Sequence, residues 1–118
     1  MSAEPILISL LSPLVSGRVY LDVAQSGAAL PRIVMQQVGG QSISFVDGTL
    51  PSKENGRMQI VSWATTRSAC VALAKQVEAA VCGSAALQAT PLGARVSEFE
   101  AETGLHGAMQ DFSVWPNR

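Results

Sequence analysis

The chain has 118 residues, 47% of them hydrophobic and 14% charged, with eight basic and nine acidic side chains for a formal net charge of −1. That length and apolar content belong to one folded domain, read here as residues 1–118, and exclude a disordered chain. Near-neutral charge excludes a general attraction to phosphate backbones or anionic lipid, so neither sequence-specific nucleic-acid binding nor membrane binding is expected.

The apolar run Ile6 to Leu11 is far shorter than the roughly 20 residues that span a bilayer, and it lacks the basic flank of a secretory signal. The protein is therefore expected in the cytosol. The run reads instead as a helix with Ser2 as N-cap, Pro5 in the opening turn, and Ile6, Leu7, Leu10 and Leu11 at helical spacing. Pro13 interrupts it and Ser16-Gly17 closes it. Arg18, Val19 and Tyr20 form a short extended piece, and a loop through Gln25, Ser26 and Gly27 leads to Pro31, which introduces a strand over Arg32 to Val38.

After the Gly39-Gly40 break, Ser42 to Val46 alternates Ile43 and Phe45 with serines and reads as a second strand. The polar stretch from Asp47 to Asn55 is too long for a tight hairpin and is expected to project as a loop. Arg57 to Ala64 carries Met58 and Ile60 on one face and Val61 and Trp63 on the other, the pattern of a central strand. Thr65 or Thr66 then caps a helix running to Cys82, with Gly83 at its C′ position. Ala69, Cys70, Leu73, Ala74, Val77, Ala80 and Val81 make its apolar stripe, and Lys75 and Glu78 are expected to point away.

A connection over Ser84 to Pro91 leads to a hairpin: a strand from Gly93 to Ala101, a turn at Glu102-Thr103-Gly104, and a partner strand from Ala108 to Trp115. The order lacks a βαβ rhythm. It predicts an α+β fold, with an antiparallel sheet of about four to five strands, two helices packed on one face, and a C-terminal β-hairpin.

Little in the chain can do chemistry. His106 is the single histidine and has no orienting partner in sequence. Glu98, Glu100 and Glu102 share one strand face and read as a solvated stripe, or as a docking stripe for a basic partner. Gly39-Gly40-Gln41 lacks the Lys and Ser/Thr of a phosphate loop. Cys70 and Cys82 lie on one continuous helix, about 18 Å apart at 1.5 Å per residue, which excludes a disulfide between them. Both are expected as buried apolar thiols without a metal. No cofactor is expected. Trp63, Trp115 and Phe112 are assigned to the core, and Tyr20 to an interface.

Four stretches, taken jointly, carry a resemblance: Leu14-Val15-Ser16-Gly17-Arg18-Val19-Tyr20; Gly27-Ala28-Ala29-Leu30-Pro31 with Ile33-Val34; Met58-Gln59-Ile60 with Trp63-Ala64; and Asp111-Phe112-Ser113-Val114-Trp115. From about Leu10 to Trp115 the chain resembles the tail completion proteins of tailed bacteriophages and prophages. The resemblance implies an α+β fold related to tail terminator proteins. It also implies a structural virion subunit, not an enzyme, that assembles in the host cytoplasm and sits at the tail-head junction. The implied partners are copies of itself in a ring, expected to be a hexamer, the tail tube protein and the head-tail connector protein. The residues expected to make these contacts are Tyr20, the loop residues Asp47, Gly48, Thr49, Leu50, Pro51, Ser52, Lys53, Glu54 and Asn55, and Glu98 and Glu100. Two rival readings are an unrelated α+β protein-binding module and a small enzyme using Glu98, Glu100 or His106.

Overall fold

A computed structural model of the chain describes residues 3–25 and 27–118, so the expected N-cap Ser2 and the loop residue Ser26 lie outside the described residues. The first helix, α1, spans Ala3–Leu11 and buries Ala3, Leu7 and Leu11, one residue per turn along a single stripe. Pro13 cannot extend that helix, and the chain tightens into a 3-10 turn at Ser12–Leu14. Ser16 and Gly17, both with positive φ, then reverse its direction.

Strand β1 (Val19–Leu21) pairs with β2 (Arg32–Gln37), and β2 pairs antiparallel with β3 (Gly56–Ala64). The β1–β2 pairing is parallel, in a sheet whose other pairings are antiparallel as expected. A three-residue strand carries no directional signal, and the loop at 22–31 is long enough to cross over. Strand β3 is central, as expected, and its far side pairs along its whole length with β6 (Leu105–Val114). Beyond β6 lie two short strands, β4 (Thr90–Pro91) and β5 (Val96–Glu100). The sheet thus has six strands, ordered β1-β2-β3-β6 with β4 and β5 sharing the outer side of β6. Strand β4 falls in what the sequence presents as a connection, and the expected strand from Gly93 shortens to begin at Val96.

The second helix, α2, covers Arg67–Cys82, and the Thr66 hydroxyl caps it by accepting from the Ala69 amide at 3.1 Å. Gly83 ends it with a right-handed φ of −82°. Glycine is needed there because a Cβ would meet the Ala79 carbonyl at 2.9 Å. Glu78 does not point away: its carboxylate accepts from the Gln110 side-chain amide, which the sheet turns toward the helix. Cys70 is buried and Cys82 exposed, so only one thiol matches the expected burial.

Both helices contact each other, and α2 packs on β3 and β6. Alternation along β3 sends Met58 and Ile60 inward to meet Phe112, Leu7, Leu11, Val77 and Val81 in the main core. At roughly 1.5–3 kcal/mol per fully buried large apolar side chain, this cluster supplies most of the stabilising free energy. Among the described residues, the other sheet face carries no helix.

The molecule extends 53 × 25 × 24 Å, with a radius of gyration of 15.0 Å against about 13–14 Å for a compact chain of this length. Five strands abreast span only about 20 Å, and the nine-residue β3 runs for about 30 Å. The long axis therefore follows the strands and continues into the segment joining β2 to β3.

Candidate assembly surface

That joining segment departs most from expectation. Ser42 to Val46 forms no strand: every residue from Gln36 to Leu50 is exposed, and the backbone bonds to β3 end where the Val38 amide donates to the Arg57 carbonyl and the Arg57 amide to the Gly39 carbonyl. The cause lies at Gly39 and Gly40, whose φ values of 115° and 140° turn the chain away from β3. Gly40 passes so close to the root of β3 that a Cβ would lie 2.7 Å from the Asn55 carbonyl. The projection is thus an arm beginning at Gly39, longer than the loop expected from Asp47.

The arm tip is ordered by its own bonds. Phe45 N–H donates to the Thr49 carbonyl at 2.8 Å, and Gly48 N–H to the Phe45 carbonyl at 2.9 Å. The Asp47 carboxylate accepts from the Thr49 hydroxyl at 2.7 Å and from its amide at 3.0 Å. The Thr49 hydroxyl, and then its amide, hold the Asp47 carboxyl below its ordinary range. This turn presents Ile43, Phe45, Val46 and Leu50 outward, with Phe45 and Leu50 each 53% exposed and Val46 fully so.

The second half of the expected loop is clamped rather than free. Arg118 donates from its amide to the Ser52 carbonyl and from Nε to the Pro51 carbonyl, and it pairs with Glu54 at 3.7 Å. Lys53 Nζ reaches Asn117 Oδ1 at 3.1 Å, and the Glu54 amide donates to the Pro116 carbonyl. Asn55 donates to Ser113 Oγ and the Val114 carbonyl, while its Oδ1 accepts from the Gln41 amide. Of the expected contact residues, Asp47, Gly48, Thr49 and Leu50 lie on the free arm, and Pro51, Ser52, Lys53, Glu54 and Asn55 form its root.

The remaining candidates lie elsewhere. Register aligns Tyr20 with Val34, Val34 with Val61, Val61 with Met109, and Met109 with Val96, an apolar row crossing the helix-free face. Trp63 and Trp115 are half-buried rather than in the core, whereas Phe112 is fully buried as expected. Glu98 and Glu100 lie in β5, paired with Gly107 and Leu105 at the end of the sheet opposite the arm, and Glu102 belongs to the turn. They form no single site with the arm.

His106 pairs with Phe99, and their rings stand 5.0 Å apart, on the sheet face opposite Glu98 and Glu100. The acid and base of the enzyme reading are thus kept apart by the pleat. Among the described residues, no group of three or more His, Cys, Asp or Glu could hold a metal ion, and no helix is long and apolar enough to cross a membrane. Sequence reasoning missed Ile43, Phe45 and Val46 as surface residues. The signal was present: an alternating run entered through two glycines, with no equally long neighbour to pair with.

The chain is an α+β domain with an ordered, exposed apolar arm and a strand margin on each side of its sheet. The chain belongs to the family described as tail completion protein gp17, whose model matches residues 8–116, which makes it a structural component of a phage tail. A search of curated proteins finds no match.

Proposed function

We propose that the protein caps the tail tube as a ring of six copies and joins it to the head connector. The observation that carries this reading is the sheet's two unpaired margins. Among the described residues, β1 pairs only with β2 and β5 only with β6, so a neighbour has a strand edge to approach on each side. The margins differ in charge: Arg18 and Arg32 stand near β1, and Glu98 and Glu100 lie in β5. Unlike margins on one molecule favour a heterologous contact, which closes into a ring when the rotation between copies allows it. The protein is then assembled in the host cytoplasm and remains at the tail-head junction.

The test is genetic and biochemical together. In the virus that carries this gene, its deletion should leave filled heads and free tails side by side, and adding the purified protein should join them. Normal particles formed without it would rule the proposal out.

A further inference from the structure

We infer that neighbouring copies in the ring join by antiparallel pairing of β1 with β5, in the register that sets Tyr20 of one copy beside Val96 of the next and Arg18 opposite Glu98. The inference rests on the ring reading above and names the contact within it.

Strand direction decides the polarity of the joint. Strand β1 runs with β2, and each step from β2 to β3, to β6 and to β5 reverses direction, so β1 and β5 run opposite ways. In a ring built across the strands, every copy keeps the same strand sense along the axis. The β5 margin of one copy therefore meets the β1 margin of the next as antiparallel strands. The β1 edge is open to such a partner. The Arg18 carbonyl accepts from the Ile33 amide and the Asp22 amide donates to the Met35 carbonyl, so by alternation the Val19 carbonyl and the Leu21 amide face the margin.

The side chains fix the register. The apolar row on the helix-free face ends in Tyr20 at one margin and in Val96, 55% exposed, at the other. Set side by side in adjoining copies, these two carry the row across the joint and unbroken round the ring. In antiparallel strands the same match brings Arg18, two residues before Tyr20, opposite Glu98, two residues after Val96, on one face. Arg32 stands beside Arg18 on the neighbouring strand, and Glu100 follows on the face of Glu98, so the two margins are complementary in charge. Among the described residues, none of these four side chains makes an ion pair within the chain. A slip of two residues sets Tyr20 against Glu98 in one direction or Arg18 against Val96 in the other. A slip of one turns the row to the wrong face.

The test uses the full chain carrying Cys82→Ser, with purified tail tubes that lack the protein. Tyr20→Cys together with Val96→Cys should cross-link copies under mild oxidation into a ladder ending at six. The two positions lie on opposite margins of one sheet and cannot pair within a chain. Tyr20→Cys with Glu98→Cys should cross-link far less. In a chain that keeps Tyr20, Glu98→Arg should raise the concentration at which rings cover half the tube ends about tenfold or more, and adding Arg18→Glu should recover most of that loss. Negative-stain electron microscopy counts the covered ends. Rings that form without the ladder, or that cross-link better through Glu98→Cys, would overturn the inference, as would an unchanged requirement in Glu98→Arg. Wild-type protein that forms no ring on the tubes would overturn the proposed function, and the inference with it.

Discussion

The side-chain amide of Asn55 donates to the Val114 carbonyl at 3.0 Å, tying the root of the arm to the end of the last strand. The same side chain also holds the Gln41 amide, so one residue joins both stems of the arm to the sheet. Replacing it with alanine removes the donor to the part-buried Val114 carbonyl and releases the exposed Gln41 amide. Asn55→Ala should lower stability by about 1–2 kcal/mol. Amide exchange across 41–50 should accelerate more than exchange in β3, and hydrogen-exchange mass spectrometry measures both.

Gly107 lies beneath the indole of Trp63, where a Cβ would come within 2.8 Å of the ring. Gly107→Ala should therefore destabilise the fold by about 1–3 kcal/mol through overpacking on the helix-free face. In a Trp63→Leu background the same change should cost much less. Equal losses in both backgrounds, read from chemical denaturation, would show that the ring is not the cause.

Asp47 gives the arm a pH dependence. Its folded carboxyl is held below the ordinary value of 3.8 by the Thr49 hydroxyl and amide. The ordering it provides is therefore complete above 3.8 and is lost as pH falls through the depressed value. The Thr49 amide resonance should be steady from neutral pH down to about 4 and shift only below it. In Asp47→Asn that transition should vanish.

The two thiols should separate by reactivity. Cys82 is exposed, whereas Cys70 is buried, its thiol pushed up chiefly by desolvation and donating to the Ser62 carbonyl at 3.2 Å. Desolvation and then Glu78 push the Cys82 thiol up as well, so a thiol reagent at mildly alkaline pH should modify the exposed Cys82 and reach Cys70 only on unfolding. Mass spectrometry of the native protein should find a single adduct.

Much of the scaffold is legible from one sequence because its signals are local. The Thr66 cap, the stripe from Cys70 to Val81 and the two-sided apolar pattern of Met58 to Trp63 each specify an element without knowledge of its neighbours. The missed features depend on partners distant in the chain. Ser42 to Val46 has the alternation of a strand, yet no neighbour lies within reach once Gly39 and Gly40 turn the chain outward. Glu78 looks like a solvent-facing helix residue until Gln110 arrives from β6. The projecting loop was legible in part: its first half projects, but its second half serves as an anchor to Trp115, Pro116, Asn117 and Arg118.

The most direct measurement of the central claim is electron cryomicroscopy of purified tail tubes after incubation with the protein. The account predicts a closed ring of six copies at one end of each tube, with strand margins in mutual contact. Bare tube ends at saturating protein, or single copies scattered along the tube wall, would contradict it.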